Sequence, residues 1–370
     1  MIYHIYWGTA GNSGLYLDEI YQSLKKAGFK QRAFVNYYYP FDYGDKVFFR
    51  YGDVGHSRVR GVIRKAIQLF EILCGYFRIL FCSIKDKPLV INYSHVGQSY
   101  SFIYLFLRML KQISHAELVI TCHDVLPFCS GRFEMKNRNK IFHQADYLLV
   151  HTEQSTKELK EYFGIDEAVI IRHPFPIMDL SKIDNRKKET TPSKDTDFLF
   201  IGHLRKAKGI VLLLEAWKDF HGLCPEAKLM VCGQKLSGTE IDEGEFEQMN
   251  VEFHLHFIDD DDYARYIRKT RYVVLPYLQG TNSGIISTVL SLDTEVITSD
   301  LPMFSENRLV PKDNMFRTGE KDSLITLLYK KYGDTTTHGA YALQVYRELF
   351  DQEVISVYEK LSSNNKRVSQ

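Results

Sequence analysis

The sequence predicts an α/β fold with two doubly wound parallel sheets, one in each of two domains. The chain has 370 residues, which is long for one domain and comfortable for two. Short apolar runs alternate with helical segments in both halves, as in parallel α/β sheets. A polar stretch at 179–196 is typical of an interdomain linker. We therefore expect an N-terminal domain at 1–178, a C-terminal domain at 197–338 and a closing segment at 339–370.

The strands of the first domain are predicted from apolar runs, because a strand buried on both faces of a parallel sheet is apolar throughout. The predicted strands are Met1–Trp7, Arg32–Tyr37, Leu89–Ser94, Glu117–Cys122, Tyr147–Val150 and Ala168–Ile171. An apolar helix is expected at Ser101–Leu110.

Glycines and a histidine follow two of these strands. Gly8, Gly11 and Gly14 come after the first strand and open a helix. Their spacing matches neither a dinucleotide-binding fingerprint nor a P-loop, so they serve either a close approach to a ligand or an ordinary turn. His123 lies at the carboxyl end of Glu117–Cys122, where ligands bind an open α/β sheet. It is either a site residue or a hydrogen-bonded structural histidine.

A tyrosine-rich loop, with Tyr37, Tyr38, Tyr39 and Tyr43, precedes a long helical segment at Arg58–Cys82. The helix is apolar and aromatic apart from one narrow face. That face is predicted to contain Arg60, Arg64, Gln68, Glu71, Gly75 and Arg78. A helix of this kind is either buried in its domain or lies on a membrane.

A basic turn joins a strand to a helix at the start of the second domain. The strand Phe198–Ile201 ends at Gly202, and Arg205 and Lys208 follow in the turn. The next apolar residues have the spacing of one helix face, namely Ile210, Leu213, Leu214, Trp217 and Phe220. Cations thus gather where a helix N-terminus already favours an anion. The alternative is a βα turn whose charges are only solvated.

The remaining strands of the second domain are expected at Lys228–Val231, Val251–Phe257, Val273–Leu275 and Glu295–Thr298. The acidic run Asp259–Asp262 is predicted to cap a helix, and a metal-binding carboxylate pair is the weaker alternative. An amphipathic helix at Tyr341–Leu361 is expected to return to the first domain, followed by a frayed tail at Ser362–Gln370.

The composition excludes several classes of protein. The net charge of +1 creates no field that would recruit nucleic acid. The six cysteines form no CxxC pair and have no histidine at zinc spacing, which indicates reduced thiols and a cytoplasmic protein. Met1 begins a strand and not a signal peptide. No run of about 18 uncharged apolar residues is present, so no transmembrane helix is predicted.

Two stretches together resemble glycosyltransferase family 4 and its relatives, the retaining nucleotide-sugar enzymes of GT-B fold. The first has the pattern G-x-x-R-x-x-K-G, here Gly202, Arg205, Lys208 and Gly209. The second has the pattern L-P-Y…S-G, here Leu275, Pro276, Tyr277, Ser283 and Gly284. The resemblance extends more weakly into the first half of the chain. It implies two Rossmann-like domains that face each other across a cleft.

The resemblance also implies site residues. Arg205 and Lys208 would neutralise the leaving diphosphate without a metal ion, and His123 would touch the donor sugar. We therefore expect these three to be catalytic. The donor-binding residues would be Gly11, Gly14, Gly202, Ser283, Gly284 and Thr288. No metal site and no cofactor other than the nucleoside-diphosphate sugar are expected.

The chain departs from the family at several positions. Many members hold the nucleotide ribose with a glutamate, and Thr288 takes that position here. Many also carry an arginine directly after the glycine of the basic loop, where this chain has His203. These departures keep two alternatives open, a catalytically inactive partner subunit and a sugar-nucleotide epimerase of similar fold.

The predicted function is metal-independent hexosyl transfer from a nucleoside-diphosphate sugar to a glycan or lipid-linked glycan acceptor. We expect it to serve surface polysaccharide synthesis. The enzyme would be cytoplasmic and would dock on the membrane through the Arg58–Cys82 segment, with no nucleic acid as partner.

Overall fold

A computed structural model of the chain describes residues 1–8, 13–53, 56–95, 102–126, 132–178, 193–236, 239–280, 284–334 and 339–368. The chain divides into two compact units: unit 1 is Met1–Pro176 with Glu348–Gln370, and unit 2 is Ile177–Arg347. Each unit contains one parallel sheet and its own hydrophobic core. The predicted class, two doubly wound parallel α/β sheets, is therefore confirmed. Most of the expected linker lies outside the described residues.

Unit 1 is built on a seven-stranded sheet. Its strands are β1 (Ile2–Ile5), β2 (Gln31–Asn36), β3 (Asp45–Phe48), β4 (Val90–His95), β5 (Glu117–Cys122), β6 (Tyr147–Val150) and β7 (Ile170–Arg172). Its helices are α1 (Ser13–Lys26), α2 (Gly61–Asp86), α3 (Ile103–Ser114), α4 (Arg132–Phe142) and α5 (Glu153–Phe163). The strand order β3-β2-β1-β4-β5-β6-β7 is parallel throughout, so the carboxyl ends of all strands lie along one edge.

Two predictions for unit 1 need correction. The short strand β3 was not predicted, because Asp45 and Lys46 interrupt its apolar pattern and its pairing with β2 shifts register after Val35. The strand expected at Ala168–Ile171 begins only at Ile170, because Glu167–Val169 forms a 3₁₀ helix.

Unit 2 has a six-stranded parallel sheet of order β10-β9-β8-β11-β12-β13. Its strands are β8 (Thr196–Ile201), β9 (Leu229–Cys232), β10 (Val251–His254), β11 (Thr270–Leu275), β12 (Glu295–Ser299) and β13 (Met315–Phe316). Its helices are α6 (Ile210–Leu223), α7 (Asp260–Arg268), α8 (Ile285–Ser291), α9 (Pro302–Ser305) and α10 (Lys321–Lys331). The predicted helix face with Trp217 is buried in the core of the unit.

The last helix, α11 (Gly339–Val368), begins in unit 2 and continues into unit 1. Within unit 1, Asp351 accepts a hydrogen bond from Ser23 Oγ at 2.5 Å and pairs with Lys26 Nζ at 3.0 Å. The helix runs to Val368, so residues 362–368 are helical rather than frayed.

Helix α2 lies on the surface of unit 1, with much of its polar face turned inwards. Gly75 on that face is buried, and a Cβ there would lie 2.5 Å from the Phe48 ring. Glu71 accepts hydrogen bonds from the backbone N–H groups of Tyr51 and Gly52, and Arg78 pairs with Asp45 at 3.3 Å. A buried stripe around Ile72, Tyr76 and Ile79 completes this contact.

The opposite face of α2 is apolar and exposed. Its exposed side chains include Val62, Ile63, Leu69, Phe70, Leu73, Phe77, Phe81 and Ile84. By length and composition, Gly61–Asp86 is also apolar enough to cross a membrane, since an 18-residue window within it has a mean hydropathy of 1.6. The prediction from uncharged runs did not include this helix, because Glu71 and Arg78 interrupt its apolar stretch. Full burial in the domain, one of the two predicted alternatives, is therefore wrong for this helix.

Candidate functional site

The basic turn of unit 2 begins where β8 ends. Gly202 has a φ of +135°, which favours glycine, and its N–H donates to the carbonyl of Cys232 at 3.0 Å. Arg205 has an extended backbone and precedes a 3₁₀ helix, Lys206–Lys208. Gly209, with a φ of +69°, closes the turn and starts α6. The turn thus places the backbone of Arg205 and Lys208 at the carboxyl end of β8.

The segment after β11 is joined to this turn by backbone contacts. Strands β8 and β11 are neighbours in the sheet, so both end at the same edge. The N–H groups of Leu278 and Gln279 donate to the carbonyl of Ala207 at 2.9 and 3.2 Å. A Cβ on Gly209 would lie only 1.7 Å from the carbonyl oxygen of Pro276. The two motifs, about 70 residues apart in the chain, therefore form one structure in unit 2.

Lys208 lies over the ring of Tyr277, with Nζ 3.6 Å from the ring centroid. The ring is buried, and the carbonyl of Tyr277 accepts a hydrogen bond from Ser299 Oγ at 2.8 Å. A cation–π contact of this kind restricts the ammonium group without neutralising its charge. The sequence indicates Tyr277 only as a motif residue, because its contact with Lys208 depends on β8 and β11 being neighbours in the sheet.

Three predicted donor-binding residues follow β11. Ser283 lies outside the described residues, and Gly284 directly precedes α8. Thr288 is fully buried, and its hydroxyl donates to the carbonyls of Met178 and Gly284 at 3.1 Å each. The hydroxyl of Thr288 is therefore used inside unit 2.

The glycine loop after β1 is described only in part. Gly11 lies outside the described residues, and Gly14 is in the first turn of α1. The carbonyl of Gly14 accepts a hydrogen bond from Tyr39 Oη at 3.3 Å, and a Cβ at Gly14 would contact the ring of Pro40 at 3.4 Å. This part of the loop packs against the tyrosine-rich segment.

Three consecutive strands of unit 1 are each followed by a histidine. His123 follows β5, His151 follows β6 and His173 follows β7. The ring centroids of His123 and His151 are 6.1 Å apart, and those of His151 and His173 are 5.0 Å apart. Tyr16 of α1 packs against the first two, with its ring centroid 4.3 Å from that of His123 and its Oη 3.2 Å from His151 Nε2. Only His123 was predicted to be a site residue, although His173 was visible at a strand end.

The hydrogen bonds determine which nitrogen carries the proton in two of these rings. Carbonyl oxygens only accept, so His151 Nδ1 donates to the carbonyl of His173, and His173 Nδ1 donates to that of Pro174. His151 Nε2 is then the acceptor for the Tyr16 hydroxyl. In their neutral form the three histidines therefore act as hydrogen-bonding groups.

Burial lowers the pKa of all three histidines. Desolvation and then the nearness of His173 lower the pKa of His123 from 6.5 to about 4, and desolvation lowers that of His173 to about 4. The pKa of His151 lies well below 6.5, for the same reason and because of both neighbouring histidines. These rings are neutral at pH 7.

Arg138 of α4 holds the loop that carries His123. It is buried, and its guanidinium donates to the carbonyls of Asp124 and Val125 and pairs with Glu134 at 3.0 Å. No sequence pattern predicts this role, because an arginine in a polar helix is ordinarily exposed.

The acidic run is a helix cap. Asp259 Oδ1 accepts from the N–H of Asp262 at 2.8 Å and precedes α7, which confirms the capping prediction. Within the described ranges, no group of three or more His, Cys, Asp or Glu side chains is placed to hold a metal ion.

Gly209→Ala should lower the stability of the protein, because a Cβ there meets the carbonyl of Pro276 and the positive φ costs a further ~1–2 kcal/mol. Gly222→Ala is the matched control, since a Cβ at this helical position of α6 meets nothing within 4 Å. Thermal unfolding of both variants checks this. Equal melting temperatures for the two would contradict the geometry of the turn.

Acid should destabilise the protein between pH 6.5 and about 4. In this range His123 and His173 bind protons in the unfolded chain but remain neutral when they are buried in the folded protein. The stability is complete above pH 6.5 and falls by on the order of 1 kcal/mol per pH unit for each such histidine. Melting temperatures of the wild type and of His173→Gln at pH 7, 6 and 5 measure the effect. An identical acid slope in both proteins would show that His173 does not contribute.

Comparison with known proteins locates both motifs within a known family. Residues 181–306 match the family model described as glycosyl transferases group 1, and residues 83–174 match the N-terminal domain of glucosyltransferase 3-like proteins. No curated protein sequence matches the chain significantly.

Solved structures share the fold along the whole chain. The catalytic domain of starch synthase IV from Arabidopsis thaliana, bound to ADP and acarbose, has a TM-score of 0.62 and 9% identity, covering 100% of this chain and 99% of that one. The lipopolysaccharide outer core galactosyltransferase WaaB in its apo form has a TM-score of 0.58 and 13% identity, covering 100% of both chains. Sucrose-phosphate synthase from Thermosynechococcus elongatus has a TM-score of 0.57 and 14% identity, covering 100% of this chain and 98% of that one.

The region that contains the basic turn therefore matches the glycosyl transferases of group 1, and the two parallel α/β units of the chain share the GT-B fold of these solved enzymes.

Proposed function

We propose that this enzyme transfers a hexosyl group, with retention of configuration, from a nucleoside-diphosphate sugar to a glycan or lipid-linked glycan. The reaction would serve surface polysaccharide synthesis. The observation that carries the proposal is the joining of the basic turn to the segment after β11 in unit 2. This structure gathers cations and backbone at one sheet edge, as recognition of a diphosphate requires.

The chemistry of the leaving group explains the choice of residues. As the bond between sugar and diphosphate breaks, negative charge grows on the phosphate oxygens. The planar guanidinium of Arg205 suits two such oxygens, and the ammonium of Lys208, held over Tyr277, supplies a point charge. Cations in this role replace a divalent ion, so we propose that catalysis needs no metal. The ADP in the starch synthase IV structure supports a nucleoside diphosphate as the ligand.

His123 is proposed to act on the donor sugar as a neutral hydrogen-bonding group. Its lowered pKa keeps the ring uncharged at pH 7, which suits a sugar hydroxyl better than a phosphate. In a retaining reaction of this type the leaving phosphate takes the proton of the acceptor, and the protein positions and stabilises. The donor-binding roles of Gly11, Gly14, Gly202, Ser283, Gly284 and Thr288 also remain proposals.

We further propose that the enzyme is a cytoplasmic protein that docks on the inner face of a membrane through α2 and α3. Phe70, Phe77 and Phe81 of α2 are 67–73% exposed, and Leu105, Met109 and Ile113 of α3 are also exposed. The two helices pack together through the stacked rings of Tyr76 and Phe106, whose centroids are 3.8 Å apart. Their exposed apolar side chains therefore belong to neighbouring helices. Burial of such side chains in lipid supports attachment.

Cations accompany this apolar surface. Arg58, Arg60 and Lys65 are exposed at the start of α2, and Arg108 is exposed on α3. Each cation near an anionic leaflet contributes about 1 kcal/mol, which salt screens. Docking of this kind would bring a lipid-linked acceptor to unit 1.

Arg205→Ala and Lys208→Ala should each lose ~2–4 kcal/mol of transition-state stabilisation, because each removes a cation from the developing charge. Lys206→Ala is the matched control, since Lys206 is an exposed cation of the same turn. Sugar transfer from a panel of nucleoside-diphosphate sugars gives kcat/KM for each variant. Wild-type transfer by both variants would refute the site.

The same proteins should be melted with nucleoside diphosphates, because a ligand of the folded state raises its apparent stability. Absence of any shift in the wild type would favour the inactive partner subunit. Loss of transfer in EDTA that Mg²⁺ restores would overturn metal independence.

Wild-type protein should float with anionic liposomes at low salt and less so at high salt. The double variant Phe77→Ser, Phe81→Ser should remain at the bottom of the gradient, because it removes exposed rings from α2. Tyr329→Ser is the control, an aromatic residue of α10 in unit 2 that is 61% exposed. Wild-type protein that stays at the bottom at both salt concentrations would exclude membrane docking.

A further inference from the structure

A group of exposed aromatic and basic residues lies at the carboxyl edge of the first sheet, outside the residues assigned so far. We call it the Tyr–Arg patch, and its members are Tyr37, Tyr38, Arg50, Tyr51 and His56. The tyrosines are 37%, 39% and 62% exposed, in chain order. Tyr37 and Tyr38 follow β2, and the other members follow β3. Neighbouring parallel strands thus bring the two groups to the same edge.

Arg50 is the charged centre of the patch. Its Cζ lies 5.3 Å from the centroid of the Tyr37 ring and 5.2 Å from that of Tyr51. Arg50 is exposed and has no acidic partner among the described residues. Aromatic contacts hold a guanidinium in place without consuming its N–H donors. The guanidinium is therefore held ready for an anion.

His56 contributes a hydrogen-bond acceptor. Its ring stacks on Tyr38 with centroids 3.7 Å apart and planes 7° apart. Its Nδ1 lies 2.8 Å from Oδ1 of the buried Asp53. A carboxylate only accepts, so Nδ1 donates and Nε2 of the neutral ring remains an acceptor.

The backbone of the patch is fixed by its own hydrogen bonds. Glu71 of α2 accepts from the N–H groups of Tyr51 and Gly52 at 2.8 and 2.9 Å. The N–H of Tyr37 donates to Phe48, and Tyr38 Oη donates to the carbonyl of Arg50 at 3.1 Å. Pre-organised side chains lose less conformational entropy on binding.

From this geometry we infer that the Tyr–Arg patch binds a pyranose ring that carries a negative charge, either a uronate carboxylate or a sugar phosphate. The C–H face of a pyranose is apolar and covers an exposed tyrosine ring. The Arg50 fork pairs with the two oxygens of a carboxylate or phosphate, and His56 Nε2 accepts from a ring hydroxyl. The identification of this sugar as the acceptor rests on the proposed function. A simple basic surface would select charge without the sugar ring.

Binding is measured by ligand-observed NMR with methyl glucuronide, glucose 1-phosphate and uncharged methyl glucoside. Wild-type protein should bind at least one charged sugar about tenfold more tightly than the glucoside. Arg50→Gln should abolish this preference, and Tyr51→Ala should weaken all three sugars several-fold. Lys30→Gln and Tyr162→Ala are controls, since a cation and an aromatic ring are exposed there elsewhere in unit 1, and both variants should bind like wild type.

Each outcome gives a decision. Equal affinity of the wild type for all three sugars would overturn the inference. A preference for a charged sugar that persists in Arg50→Gln would also overturn it, because that sugar would then bind at another site. The charged sugar that binds more tightly identifies the anionic group.

Melting with nucleoside diphosphates, measured on the same samples, separates the two proposals. A nucleotide shift without sugar binding overturns the patch and leaves the proposed transfer intact. Sugar binding that depends on Arg50, without any nucleotide shift, supports the patch and counts against the transfer reaction.

Discussion

The parallel pairing of β8 with β11 is the contact on which the candidate site of unit 2 depends. The two strands end at the same edge, which lets Leu278 and Gln279 bond to the carbonyl of Ala207. Gly209 is required at this junction because the carbonyl of Pro276 occupies the space of a side chain. Lys208 then reaches the ring of Tyr277. A basic turn alone is an ordinary surface loop, whereas one locked against a second strand end holds its cations in a defined place.

Helix α2 shows a second constraint. Only one face of an amphipathic helix can pack against its domain, and in α2 this side contains much of the polar face. Glu71, Gly75 and Arg78 are used to attach the helix to β3 and the segment that follows it. The aromatic side chains therefore remain outside, which costs free energy in water. The same attachment fixes the backbone of the Tyr–Arg patch through Glu71. The proposed membrane surface and the proposed sugar site thus share one structural support.

The histidines of unit 1 illustrate how the edge of a sheet determines the protonation state of its side chains. Neighbouring strands β5, β6 and β7 place His123, His151 and His173 side by side, and Tyr16 packs against the first two. Burial and mutual repulsion keep the rings neutral. Arg138 supplies hydrogen bonds to the loop that carries His123, so a fully buried cation is compensated by carbonyl oxygens and Glu134. A neutral, rigid edge of this kind suits sugar hydroxyls, while the cations of unit 2 suit phosphates.

The sequence by itself determined the fold class, most strand positions and the two motifs, because apolar periodicity and glycine positions are local properties. Strand β5 and the N-cap of α7 follow directly from their residues. It did not reveal β3, whose charged residues are accommodated only by pairing with β2. The tertiary structure alone decided that Thr288 is buried, that Arg138 supports His123 and that the apolar face of α2 points outwards. These outcomes depend on which elements are neighbours in space. Contacts between residues that are distant in the chain produce no periodic pattern in the sequence, so they cannot be predicted from it.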